Sequence, residues 1–316
     1  MKLRHVVESQ QFTVPRLMEL FKRTEEMKKI VARGGTRDYE NKIMATLFYK
    51  PSTRTRFSFE AAMFRLGGKK LTTEQAREFS SEIEGEMLED TIRIISDYCD
   101  VVVLRHHEEG GAKRAAAVSS VPIINAGDGS GGQHPTQALL DLYTIYNESH
   151  TLDGLSVALI GALDHGRTVR SLAYLLSKFD RVKLYFIAPD ELQIQPDILE
   201  HLDEHGVSYQ LAKSTDEIIN RVDVVYQTRI DRGRLKDKNI DLSIYNIDGN
   251  VLQKMKYNAI IMHPLPRSVE IDPAVDHDRR AAYFRQSKNG LYVRMALLTM
   301  LFDEDDEPGL FDNLRR

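Results

Sequence analysis

Three hydroxyls and two guanidiniums stand within five residues at Ser52-Thr53-Arg54-Thr55-Arg56. These are donor groups suited to an oxyanion, above all a phosphate, which a guanidinium fork can hold bidentately. The apolar run Ile43 to Tyr49 just before them reads as a buried strand. Pro51 and the hydroxyls mark a break, and Phe57, Ala61 and Phe64 at helical spacing mark a helix. A strand entering a helix through such a turn aims unpaired backbone N–H groups and the positive end of the helix at one point, a natural anion site. The simpler alternative is an ordinary capped helix with solvated arginines.

A second stretch weighs against the simpler alternative. Asn125-Ala126-Gly127-Asp128-Gly129-Ser130-Gly131-Gly132-Gln133-His134-Pro135-Thr136-Gln137 carries a strand into a glycine-rich loop, with a helix expected near Pro135. Glycines there let the backbone approach a ligand closely. His134 and Gln137 flank the helix start and can polarise a carbonyl and hold an amide. A lone histidine is as readily a structural one.

The elements that must position these groups alternate along the chain. Helices are expected over Val14 to Ala32, Asp90 to Asp97, Pro135 to Tyr146, Gly166 to Phe179 and Tyr292 to Phe302. Short apolar strands are expected at Val101 to Leu104, Val121 to Ala126, Ser156 to Gly161, Lys183 to Ile187, Asp223 to Tyr226 and Ala259 to Met262. Strands alternating with helices imply α/β architecture: two doubly wound parallel-sheet domains with the active site in the cleft between them. The expected limits are 1–147 and 148–288, with a closing helix at 289–302 packing back on the first domain and an acidic, frayed tail at 303–316.

Composition bounds the function. The 316 residues are 42% hydrophobic and 28% charged, as in soluble globular proteins. A net charge of −4 gives no general attraction for nucleic acid or an anionic membrane. The single cysteine, Cys99, excludes an internal disulfide and suits a reducing compartment; its apolar surroundings read as core. No run approaches the roughly 18 apolar residues of a membrane span, and the first residues lack a signal-peptide pattern. The expectation is a cytoplasmic protein. No metal cluster is evident, and Gly161 and Gly166 do not make a dinucleotide fingerprint, so no cofactor is expected.

Taken together, Ser52-Thr53-Arg54-Thr55-Arg56 and His134-Pro135-Thr136-Gln137 resemble the carbamoyl phosphate signature of the aspartate and ornithine carbamoyltransferases. Asn125 to Gly129, Gly166-Arg167-Thr168-Val169, Thr228-Arg229, His263-Pro264-Leu265-Pro266-Arg267 and Asn289 to Arg294 extend the resemblance over nearly the whole chain and lean to the aspartate type. The resemblance implies that Ser52, Thr53, Arg54 and Thr55 bind phosphate. It implies that Thr55, Arg105 and His134 form an oxyanion hole for the carbamoyl oxygen, and that Gln137 holds its NH2. Arg54 and Arg105 would offset charge on the departing phosphate. Arg167 and Arg229 would grip the acceptor's carboxylates, with Asp231 beside them and Arg234 in support. Leu265 and Pro266 would orient the amine, and Leu265 would reach the carbamoyl group as well. The family further implies a homotrimer with shared active sites; a regulatory or paralogous subunit is left open.

Departures from the family pattern are charged. Residues 74–90 hold seven acids and one base, Arg77. In the family, this segment lends a serine and a lysine to the neighbouring subunit's site. Here the corresponding residues are Ser80 and Glu84. Lys50 replaces a usual glutamate, Asp231 a usual glutamine and Asp164 a usual lysine. One charge pair about 4 Å apart is worth roughly 4 kcal/mol at an effective dielectric of about 20, so Glu84 cannot do the lysine's work. Three readings stand: an aspartate enzyme with Glu84 turned away or paired with Lys50; a carbamoyltransferase for another carboxylate-bearing amine; or a poorly active paralogue that assembles with an active enzyme.

Overall fold

The computed structural model describes residues 3–74, 85–129 and 131–305. Ser80 and Glu84 therefore lie outside the described residues. In chain order the elements are α1 (Val14–Ala32), β1 (Ile43–Phe48), α2 (Thr53–Arg65), β2 (Lys69–Glu74), α3 (Leu88–Ser96), β3 (Val101–Arg105), α4 (Gly111–Val118) and β4 (Ile123–Asn125). There follow α5 (Pro135–Ser149), β5 (Ser156–Ile160), α6 (Arg167–Leu176), β6 (Lys183–Ile187), α7 (Pro196–Glu204), β7 (Ser208–Ala212), β8 (Val224–Gln227), α8 (Gly249–Lys254), β9 (Ile260–Met262) and α9 (Tyr283–Asp305).

Two compact units result. One takes the residues up to Gln11, Pro15–Thr136 and Gly290 onward; the other takes Phe12–Val14 and Gln137–Asn289. Each is built on one parallel sheet, ordered β2-β1-β3-β4 in the first unit and β7-β6-β5-β8-β9 in the second. Runs such as Val101 to Leu104 and Val157 to Ile160 are wholly buried because helices cover both faces of a parallel sheet. The division between units falls inside α5 and α9.

The strand orders carry the functional consequence. From β1 the chain moves outward to β2, then returns to β3 on the other side. In the second unit it runs β5-β6-β7 one way, then returns to β8 and β9. Order therefore reverses between β1 and β3 and between β5 and β8. At such switch points the loops leaving the two strands diverge, and a crevice opens at their carboxyl ends.

Several sequence expectations need correction. The edge strands β2 (KKLTTE) and β7 (SYQLA) were not expected, because exposed edge strands lack the apolar run that marks buried ones. The helix expected from Tyr292 begins at Tyr283. The acidic tail does not fray from its first residue: α9 runs to Asp305, and Asp303 accepts hydrogen bonds from Arg23 and from the Tyr39 hydroxyl at 2.8 Å. Two donors from the same unit give this acid a reason to stay helical.

Candidate active site

The α2 start is built as an anion site without an anion of its own. Ser52 occupies the N-cap but makes no side-chain capping bond, and no acid stands in the first turn. The N–H groups that open a helix have no intrahelical acceptor, and here the usual carboxylate or hydroxyl partner is absent. Thr55 is buried and Arg54 exposed. The side chains of Ser52, Thr53, Arg54 and Thr55 have no partner among the described residues. Desolvation draws the Arg54 guanidinium below its ordinary pKa. A cation at the positive end of a helix is unfavourable unless a ligand compensates it.

Arg56, two residues on, behaves differently. It donates to Glu74 at 2.7 Å and to Glu60 at 3.4 Å, and Glu60 is itself buried beside Thr72 and Lys70. One of the two guanidiniums in the motif thus ties α2 to β2, and the other has no partner among the described residues.

Arg105 ends β3 in register with Phe48, at the switch point. Its Nη1 donates to Ala126 O at 2.9 Å, which fixes the stem of the side chain against the loop after β4. That loop delivers His134, buried, with Nδ1 3.3 Å from the Thr136 hydroxyl. Ser52 to Thr55, Arg105 and His134 therefore leave the carboxyl ends of three adjacent strands, β1, β3 and β4. One glycine of the loop also serves the fold itself. A Cβ on Gly129 would meet Glu109 N at 2.3 Å, so this glycine admits the chain's own backbone. Asp128 staples the same loop, accepting from Gln133 N at 3.0 Å and Gly110 N at 3.1 Å.

In the second unit, Arg167 opens α6 after β5, and Arg229 follows β8. A Cβ on Gly161 would lie 2.3 Å from Thr228 Oγ1, and Thr228 N donates to Ile160 O at 2.7 Å. That close approach fastens the two arginine-bearing loops together. Arg229 is exposed and has no partner among the described residues. Arg234 pairs with Asp164, which is buried; the acid that replaces the family's lysine thus serves to hold the supporting arginine. Asp231 faces its own turn, accepting from Gly233 N at 2.9 Å as the cap of a short 3-10 segment. An Asx turn thus engages one of its two carboxylate oxygens locally. Lys50 is exposed without a partner among the described residues.

Leu265 has φ of +53° and precedes the cis Pro266. A positive φ is uncommon for a branched side chain, and a hydrogen-bond chain holds it: Leu265 N donates to His263 Nδ1 at 2.8 Å, and His263 Nε2 donates to Glu270 at 2.9 Å. Burial raises the Glu270 pKa, but hydrogen bonds from His263 and from backbone N–H groups outweigh it, leaving the net value below the ordinary one. Arg267, within the same motif, is taken by Asp276 and Tyr283.

Sequence reasoning missed one group. Asp141 is fully buried and accepts from Gln137 Nε2 at 2.8 Å, Gln286 Nε2 at 2.6 Å and Tyr226 Oη at 2.7 Å. Burial and then the Asp141 charge push the Tyr226 phenol well above its ordinary pKa, so it remains a donor. An acid at i+4 from Gln137, within the mostly apolar run Ala138 to Tyr143, was the available signal. For metals, one group among the described residues qualifies by distance: His201, Glu204 and His205 bring ligand atoms within 4.8 Å of one another at the end of α7. His201 Nε2 is engaged by Ser177 at 3.0 Å, and burial, then His205 and the Lys178 cation, lower the His201 pKa. A nearby cation also opposes a metal, and no site residue belongs to this group.

The switch-point loops thus define a two-domain α/β protein with a helix start rich in hydroxyls and a guanidinium in one unit and two arginine-bearing loops in the other. Residues 4–147 match the family model of the aspartate/ornithine carbamoyltransferase carbamoyl-P binding domain, and residues 153–301 that of its Asp/Orn binding domain. The chain belongs to the aspartate/ornithine carbamoyltransferase family. It is 52% identical over 312 residues to the chloroplastic aspartate carbamoyltransferase of Oryza sativa subsp. japonica, covering 95% of this chain and 85% of that protein. It is 44% identical over 308 residues to the aspartate carbamoyltransferase catalytic subunit of Methanocaldococcus jannaschii, covering 96% and 99%. A solved Trypanosoma cruzi aspartate transcarbamoylase in complex with carbamoyl phosphate and aspartate superposes with a TM-score of 0.89 at 38% identity, covering 95% of this chain and 96% of that one.

Proposed function

We propose that the protein transfers the carbamoyl group of carbamoyl phosphate to the amino group of L-aspartate, releasing N-carbamoyl-L-aspartate and phosphate, a step of pyrimidine biosynthesis. The observation that carries this reading is the α2 start: three hydroxyls and one guanidinium, without side-chain partners among the described residues, at the positive end of a helix whose first turn has no acid. Thr53, Thr55, Ser52 and Arg54 bind the phosphate. Thr55, Arg105 and His134 take up the charge that grows on the carbamoyl oxygen as the amine attacks. The C–N bond forms, the bond from carbon to the phosphate oxygen breaks, and the departing phosphate accepts the amine's proton. Positioning and electrostatics then supply the acceleration. Arg167 and Arg229 hold the two carboxylates of aspartate, and the Leu265-Pro266 turn orients its amine.

The second reading, another carboxylate-bearing acceptor, rests on the charges of Glu84 and Asp231, the latter with one carboxylate oxygen accepting from Gly233 N. Phosphate release should be followed with aspartate and with a panel of amino acids, in wild type and in Glu84→Lys. Rapid turnover with aspartate supports the first reading; turnover with another amine in its place supports the second. Tight phosphate binding with no turnover supports a paralogue that assembles with an active enzyme. If Glu84 limits aspartate use, Glu84→Lys raises kcat/KM for aspartate; no change places Glu84 outside the site. A homotrimer with shared sites is part of the proposal, and sedimentation equilibrium tests it: a mass near three chains supports it, and a monomer refutes it.

A further inference from the structure

Gln137 has two chemically opposite ends, and a carbamoyl NH2 can be held only by its carbonyl oxygen. The fold decides which end is presented. Asp141 is an acceptor, fully buried, and takes Gln137 Nε2 at 2.8 Å. The same Asp141 oxygen also accepts Gln286 Nε2 at 2.6 Å. The orientation of that second amide is set independently, because its Oε1 accepts from the backbone N–H of His263 at 2.9 Å. A backbone N–H can only donate, so the Gln286 NH2 must face Asp141. The other carboxylate oxygen takes the Tyr226 hydroxyl at 2.7 Å. All three groups are donors, which is the environment of an ionised carboxylate. With its NH2 spent on Asp141, the half-buried Gln137 keeps Oε1 without a partner among the described residues.

We infer that Asp141 is a positioning residue for donor recognition: it locks the Gln137 amide so that its oxygen faces the substrate's NH2, and thereby selects a carbamoyl phosphate over an acyl phosphate of the same shape. This rests on the carbamoyl-transfer reading. The phosphate is gripped by the α2 start, which Asp141 does not touch. The effect therefore belongs to the NH2 end of the donor alone. The same carboxylate fastens Tyr226 at the end of β8 and, through Gln286, the backbone of His263 ahead of the Leu265-Pro266 turn.

The test compares carbamoyl phosphate with acetyl phosphate, which carries a methyl where the former carries NH2, and with inorganic phosphate. Competitive binding constants are measured for wild type, Asp141→Asn and Tyr226→Phe. Asparagine keeps the shape but offers an NH2 to donors, so the Gln137 amide is free to turn. A polar group left facing its own kind costs a factor of about 10 to 100. In Asp141→Asn, carbamoyl phosphate should weaken by that factor, while acetyl phosphate and phosphate change less than about threefold. Tyr226→Phe, which leaves the Gln137 bond in place, should keep the wild-type preference ratio. Equal weakening of all three ligands in Asp141→Asn, or an unchanged ratio, overturns the inference. Failure of wild type itself to bind carbamoyl phosphate overturns the functional reading instead. A neutron structure of the unmodified protein with phosphonoacetamide reads the amide directly and needs no variant. Gln137 Nε2 on Asp141 is expected, and Oε1 there would refute the assignment.

Discussion

Arg54 and Arg56 stand two residues apart in one helical turn, and replacing each by glutamine should have opposite consequences. Arg54 has no partner among the described residues, and it sits in a first turn that contains no acid. Its charge opposes the helix dipole by about 0.3–1 kcal/mol, so Arg54→Gln should leave the melting temperature unchanged or raise it slightly. Under the proposed function its work is done on the ligand. A unit charge about 4 Å from the phosphate at an effective dielectric of about 20 contributes roughly 4 kcal/mol. At 1.36 kcal/mol per tenfold, kcat/KM for carbamoyl phosphate should fall about a thousandfold. Arg56→Gln removes ion pairs at 2.7 and 3.4 Å and leaves the buried Glu60 with fewer donors. That should cost about 1–3 kcal/mol of stability, while kcat/KM of the folded protein falls far less. Steady-state phosphate release and thermal unfolding, measured on the same preparations, separate the two. Retention of kcat/KM within a factor of three in Arg54→Gln, or an activity loss in Arg56→Gln as large as in Arg54→Gln, would refute the reasoning.

Other consequences can be checked in parallel. Gly161→Ala places a Cβ 2.3 Å from Thr228 Oγ1 at a φ of +124°. It should lower stability by at least about 2 kcal/mol and weaken aspartate more than phosphate, as two titrations would show. Acid should act through Asp278, whose carboxyl is lowered from 3.8 to about 2 by the hydrogen bond from Arg280, against the opposing pull of desolvation. A depressed carboxylate contributes its stability in full above its unfolded pKa and loses it as pH falls through the folded value. Asp278→Asn should therefore lower stability at neutral pH and flatten the decline between about pH 4 and 2, read by denaturant titration at several pH values.

The strand-turn-helix that carries Ser52 to Thr55 was legible in the sequence because its signals are local. Ser52 to Thr55 follow a buried strand directly, and a strand running into a helix through a hydroxyl-rich turn has few conformations. The apolar strands β1, β3, β5, β6, β8 and β9 declared themselves by composition. The edges β2 and β7 did not, since solvent on one side removes the need for an apolar run. Partnerships across long sequence separations were invisible: the Arg234 bond to Asp164, the Asp303 bonds to Arg23 and Tyr39, and the gathering of Gln137, Tyr226 and Gln286 on Asp141. The capping bond of Asp231 was not singled out in the sequence, although an aspartate two residues before a glycine N–H can accept from it. Of the two arginines in the motif, only the structure tells which one the fold consumes.

The most direct measurement is a crystal structure with N-(phosphonacetyl)-L-aspartate, the compound present in one Trypanosoma cruzi neighbour's complex. The phosphonate should accept from the backbone N–H groups of Thr53 to Thr55 and from the Arg54 guanidinium, with the two carboxylates on Arg167 and Arg229. A phosphonate seated away from the α2 start, with Arg54 still turned to solvent, would contradict the account.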